Sequence, residues 1–210
     1  MKRTNFTTSN TNDPISTTLE GYVIGITNII KNENNSNYHY TLTMEGANSS
    51  LITIIRYLNP NAVCRLYTQL QSLSSTQQGL ELLHVKVNNC SYNITNETRL
   101  LQKELTFKPE WCTKQEISFL KCLSEEKLCA IECKIIHINP PQSFVVMSGF
   151  KRTQKLRKEV TVGDETGAVI LNIYETHFDS IKAGLSYKIC ALKTRLFKDV
   201  VSLTAIGETK

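Results

Sequence analysis

The sequence predicts an all-β chain with short helices, built as two tandem five-stranded Greek-key barrels. Three observations predict it. Short runs that alternate apolar and polar residues recur along the chain, separated by turn-forming residues. The order β-β-β-α-β-β is read twice. Each half of the 210 residues is about the size one compact domain needs. Hydrophobic residues at 40% supply enough apolar material for two cores, which excludes disorder for most of the chain.

Residues 1–16 are polar and read as a disordered tail. The first barrel is expected over 17–105. A β-rich run at 19–30 carries Gly21 and Gly25, glycines that inside a strand suggest bulges or sharp curvature. From 38 to 44, Tyr38, Tyr40, Leu42 and Met44 share one face, and a β-branched strand follows at 50–58. The period then changes: Asn59 suits a helix cap and Pro60 a first turn. Val63, Leu66, Tyr67, Leu70 and Leu73 continue at helical spacing. Strands return at 80–87 and 90–95.

A linker is expected over 106–124, with Trp111 and a short helical stretch, and the second barrel over 125–210. Its strands are read at 128–138, 160–164, 168–174, 185–192 and 200–205, with a hairpin extension at 144–147. Asn139-Pro140-Pro141 ends the first of these, since proline cannot donate to a ladder. Asp164-Glu165-Thr166-Gly167 suits a type I turn. One or two helical turns are expected at 177–183, stopped by Gly184. Five strands with a helix between the third and fourth is the connectivity of the OB-fold.

Several function classes lack their signatures. No Gly-rich Lys-Ser/Thr phosphate loop, Gly-x-Ser-x-Gly elbow or His-Glu-x-x-His pair is present. The four histidines are far apart in sequence, so a non-enzyme without catalytic residues or cofactors is expected. Cys112, Cys122, Cys129 and Cys133 lack a Cys-x-x-Cys knuckle, so buried thiols rather than a zinc site are expected. The seven cysteines with no apolar leader at the N-terminus read as reduced thiols. No run approaches the ~20 apolar residues of a membrane helix.

Charge is informative by position. Residues 1–105 hold 8 basic and 7 acidic residues, net +1, and residues 106–210 hold 16 and 12, net +4. Lys151, Arg152, Lys155, Arg157 and Lys158 place five cations in eight residues with no acid among them. Such a field attracts phosphate; a solvated basic loop is the competing reading. In 168–174, alternation sends Val169, Leu171 and Ile173 to one side and Ile170, Asn172 and Tyr174 to the other. The aliphatic set suits the core. Tyr174 then faces outward, where a ring can stack an unpaired base or merely cover the barrel rim.

Residues 160–174, followed by Phe178, Ile181, Gly184 and Tyr187, resemble the DNA-binding OB domains of the replication protein A large subunit. They resemble more closely animal proteins that carry two such domains. The resemblance covers about 125–205. It implies a stacking role for Tyr174, with Asn172 beside it, and a DNA-closing loop at Lys151 to Lys158 between the first two strands. A second loop, with Lys193, Arg195, Phe197 and Lys198, falls between the last two strands, and Phe197 is its candidate aromatic. In the first barrel His39, Arg56 and Tyr57 form a weaker candidate patch. The expected function is therefore binding of single-stranded nucleic acid, DNA before RNA, in the nucleus or else the cytoplasm. The alternative is a protein-docking OB module in a replication, repair or telomere-type complex, with other such proteins as partners and no membrane.

Overall fold

The computed structural model describes residues 15–32, 37–59, 64–88, 91–123, 126–148 and 151–210. The chain forms two closed all-β barrels in tandem. In the first, β1 (Ile15–Ile26), β3 (Tyr38–Gly46), β4 (Ser50–Leu58), β5 (Gly79–Asn88) and β6 (Ser91–Asn93) pair in the order β1-β3-β4-β6-β5, and β5 returns to β1. Only the β4–β6 ladder is parallel among these. The short strands β2 (Ile30–Lys31) and β7 (Arg99–Gln102) add to β3 and β5. In the second barrel β8 (Leu128–Ile138), β10 (Lys151–Asp164), β11 (Gly167–Tyr174), β12 (Ser186–Phe197) and β13 (Val200–Ala205) repeat that closure, with β11–β13 parallel. This is the OB-fold order, twice.

Alternation places the cores. Tyr40, Leu42 and Met44 of β3 are fully buried with Ile54, Leu70, Leu80 and Leu82. Val169, Leu171 and Ile173 of β11 are buried with Ile131, Ile135, Val160 and Val162. The β1 ladder shifts register between Val23 and Gly25, the bulge the glycines suggested. At Gly21 an added Cβ would stand 2.4 Å from the backbone oxygen of Glu45, so no side chain fits there.

Five expectations need correction. Ile15 and Ser16 pair with Val87 and Lys86, so β1 begins inside the stretch read as tail; residues 1–14 lie outside the described residues. Helix α1 runs Arg65–Leu73 with Cys64 as its N-cap, not Asn59; Pro60 and Val63 lie outside the described residues, as does Cys90. In place of a helix at 177–183 stands a 310 turn, Glu175–His177; Phe178 and Ile181 still pack on the core. The basic segment is not a loop: Lys151–Asp164 is one strand, because β9 (Gln142–Ser148) supplies a partner from Lys151 to Arg157. Ser143, Phe144, Val145, Val146 and Met147 opposite it carry no charge, so the cations meet no like-charged partner across the ladder.

The fifth concerns the linker. Within 106–124, helix α2 (Ile117–Leu120) inserts fully buried Ile117 and Leu120 into the second core. Asp164 explains the fit. Its Oδ2 accepts the Ile117 N–H at 2.9 Å, and its Oδ1 accepts the Thr166 N–H at 2.7 Å and the Gly167 N–H at 3.1 Å. Burial works against the charged form, but these donors and the Thr166 hydroxyl hold the Asp164 carboxyl below its usual range.

Trp111 sits between the barrels, packed with Ile24 of β1, Leu128 of β8 and Ala191 of β12. Its C=O accepts the Ala191 N–H at 2.7 Å. Around it the Thr43 hydroxyl donates to Glu208 at 2.5 Å, and the Lys127 ammonium to the Asn48 carbonyl at 2.7 Å. This contact buries Thr43 and Glu45, the β3 face that alternation alone assigns to solvent.

Glu45 is 1% exposed and accepts N–H groups from Glu110 at 3.0 Å and Trp111 at 3.1 Å. Burial pushes its carboxyl up to about 7, although the Trp111 and Glu110 donors pull the other way. The folded state therefore holds a proton more tightly than the unfolded chain, whose value is near 4.5. The resulting stability is full below about pH 4.5 and lost as pH rises through 7, up to about 3 kcal/mol. The melting temperature should fall between about pH 5 and 8. Glu45→Gln should flatten that part of the profile; a profile parallel to wild type excludes this assignment.

Candidate nucleic-acid interface

On β11, Ile170, Asn172 and Tyr174 are half-buried on the outer face, as alternation requires once the aliphatic set fills the core. Tyr174 stands opposite Arg157 on β10, and Asn172 opposite Glu159. The Asn172 amide donates to the Leu203 carbonyl at 3.3 Å. Beyond Arg157, β10 continues with β9 into a hairpin arm that projects past the barrel end. Lys155 of this arm stands opposite Phe144. The Phe144 and Tyr174 rings lie 5.8 Å apart at 46°, the contact of two tilted aromatics. They line a groove of about 560 Å³ with Val146, Thr153, Lys155 and His177. Glu175 accepts the Leu156 N–H at 2.9 Å and so ties the arm to the end of β11.

The strand divides the basic cluster. Lys155 and Arg157 share the face of Phe144 and Tyr174, while Arg152 and Lys158 alternate to the opposite one. The Lys158 ammonium lies 4.3 Å from the Phe178 ring centroid on that side. Arg157 also pairs with Glu159 at 3.1 Å, a half-buried contact at the edge of solvent. Lys151 is the first residue of β10, near the arm's tip; its side chain lies outside the described residues.

Lys193, Arg195 and Phe197 do not lie in a loop as expected but on β12, which its ladder with β13 extends to Phe197, and Lys193 and Arg195 both pair with Glu126. Phe197 is 72% exposed at the β12–β13 hairpin, where Lys198 and Asp199 hold φ of 48° and 62°. The Lys198 ammonium lies 5.5 Å from the Phe197 centroid. Val200, opposite Phe197, lines a surface hollow with Ala168. Ala168 is six residues from Tyr174 along β11, about 20 Å at 3.3 Å per residue. Phe197 and Tyr174 thus mark opposite ends of one outer face. The ring beside Tyr174 is Phe144, which sequence reasoning missed. The apolar run 144–147 marked a hairpin extension, and the ladder register sets Phe144 against Lys155.

In the first barrel the trio is split. His39 faces Tyr57 with ring centroids 6.2 Å apart. Arg56 points the other way and donates to the Thr95 carbonyl at 2.6 Å and to Asn96 at 2.8 Å. The cysteines occupy separate settings. Cys129 and Cys133 are buried in the second core, burial pushing their thiols up to about 12 and about 11, while Cys112 lies at the junction and Cys122 is exposed.

Fold and face together define a class: a tandem OB-fold protein with a cation-walled aromatic ledge at the end of the third strand of its second barrel. No family model matches the chain, and no curated protein matches it. Among solved structures it is similar to a replication protein A heterotrimer bound to ssDNA. The TM-score is 0.50 at 14% identity, over 93% of this chain and 48% of that one. The chain therefore spans about half the length of the matched chain of that heterotrimer. It is also similar to a tetrameric p202 HIN2 (TM-score 0.49, 11% identity, 94% of each chain) and to a p204 HINb domain (TM-score 0.48, 10% identity, 95% and 97%). At such identities the likeness is one of fold.

Proposed function

We propose that the chain binds single-stranded nucleic acid, DNA foremost, through its second barrel. The observation that carries this reading is the Phe144–Tyr174 ring pair, 5.8 Å apart, on the face of the arm that also presents Lys155 and Arg157. Rings offer flat apolar surface to unpaired bases, and the neighbouring cations neutralise phosphates. A duplex keeps its bases stacked inside and cannot use the ledge. The fold similarity to a replication protein A heterotrimer bound to ssDNA supports the reading. With it belong a nuclear location, a role without catalysis, and partners among other OB-fold or replication and repair proteins.

The test is a titration of fluorescent oligo-dT, oligo-rU and duplex at two salt concentrations. Oligo-dT should bind best, with affinity falling as salt rises. Tighter oligo-rU binding would make the ligand RNA, and no salt-dependent binding at all would leave a protein-docking module. The arm gives a sharper expectation. Lys155→Gln with Arg157→Gln removes the two cations on the ledge face, so the salt slope should drop by about 1.4, about 0.7 per phosphate contact. Arg152→Gln with Lys158→Gln should lower it by less than half as much. Equal drops would show that the two faces of the arm do not differ in phosphate contact.

A further inference from the structure

The two barrels can be aligned through their parallel ladders without any sequence identity. In the second, Leu171 lies level with Leu203, and in the first, Ile54 lies level with Tyr92. Ile54 and Leu171 therefore correspond, and both are buried at 1% exposure or less. Three residues further along each strand, Tyr57 corresponds to Tyr174. The antiparallel ladders agree. Tyr57 faces His39 on β3, as Tyr174 faces Arg157 on β10. His39 in turn faces Ile30 on β2, as Arg157 faces Gln142 on β9. Both barrels thus carry an added strand on the second barrel strand, at the same level, and a tyrosine at the same outward position.

The first barrel's version is open and nearly uncharged. Tyr57 is 56% exposed, and Ile30, opposite His39 on β2, is 51% exposed. His39 replaces the arginine, and its Nδ1 is buried without a hydrogen-bond partner among the described residues. Arg56 is held away by Thr95 and Asn96. An exposed tyrosine ring backed by the half-buried His39 ring, with Ile30 next to it, suits the face of a base better than a phosphate.

We infer that Tyr57 and His39 form a second stacking platform for unpaired bases, poor in charge, so that one strand is held by both barrels with unequal physics. The second barrel contributes phosphate neutralisation and stacking, and the first contributes stacking alone. This inference rests on the proposed function of the second barrel. A ligand that engages both sites gains affinity through the high effective concentration of the second contact, provided it is long enough to reach.

The experiment compares wild type, Tyr57→Ala and His39→Ala on oligo-dT of about 8 and about 30 nucleotides, one and more than one OB footprint. On the long strand Tyr57→Ala should bind about 5- to 150-fold more weakly with an unchanged salt slope. His39→Ala should shift affinity in the same direction by less. On the short strand, held by the second barrel, neither should matter. Melting temperatures should stay near wild type because the Tyr57 ring is exposed. Wild-type affinity of both variants for the long strand overturns the platform and leaves the patch to a protein segment. Equal losses on both lengths overturn the division of labour between the barrels. Failure of wild type to bind either length is a different result, since it removes the proposed function and this platform with it.

Discussion

Tyr174→Ala weakens oligo-dT binding by about 1–3 kcal/mol, the stacking contribution of a single base, while the salt slope stays nearly constant. The expectation follows from the half-buried position of Tyr174 at the end of β11, with one side of its ring against Phe144. No charge is removed, so counterion release does not change. Phe144→Ala produces a loss of the same order. The rings touch, so the double variant loses less or more than the sum, by about 0.5–3 kcal/mol. A ring that only covers the barrel rim behaves otherwise. Its removal lowers the melting temperature and leaves the affinity of the folded protein intact. Melting and binding measured on the same variants separate the two, and unchanged affinity sinks the ledge.

Trp111→Ala costs about 3–5 kcal/mol, the usual loss for a buried Trp or Phe truncated to Ala. Trp111 is 4% exposed and touches both barrels, with the Lys210 ammonium 5.5 Å from its ring centroid. Each barrel keeps its own core, so the loss falls on their contact. Wild type is expected to melt in one transition and to resist proteolysis across 106–116. The variant is expected to melt in two and to be cut there, while the second barrel still binds a short oligonucleotide. A single transition with an unchanged midpoint excludes Trp111 as the pin.

Much of this architecture is legible in the chain. The alternation of Val169, Leu171 and Ile173 against Asn172 and Tyr174 is a local property, because successive side chains of a strand point to opposite faces. It assigns the core of β11 and the outward ring whatever the rest of the chain does. The Asp164 to Gly167 turn is local for the same reason, since one carboxylate satisfies donors two and three residues on. The order of strands and the bulge at Gly25 likewise follow from residues close in sequence.

The pairing of distant segments was decided only in three dimensions. Phe144 stands opposite Lys155 by the register of a hairpin that begins at the Ser148–Lys151 pair, but five cations in eight residues mask the strand, so without β9 as partner the segment from Lys151 to Lys158 reads as a charged loop. Once the segment is a strand, alternation splits Lys155 and Arg157 from Arg152 and Lys158. Glu45 and Thr43 alternate to the outer side of β3 and are buried because a second barrel covers that side. Ile117 and Leu120 read as linker because their burial partners lie on strands further along the chain. By itself the sequence determined two five-stranded barrels and the outward Tyr174, since strand periodicity and turn chemistry act over a few residues. The tertiary structure decided the ring beside Tyr174 and the fused junction, because burial and contact between strands far apart in the chain join residues that local pattern never brings together.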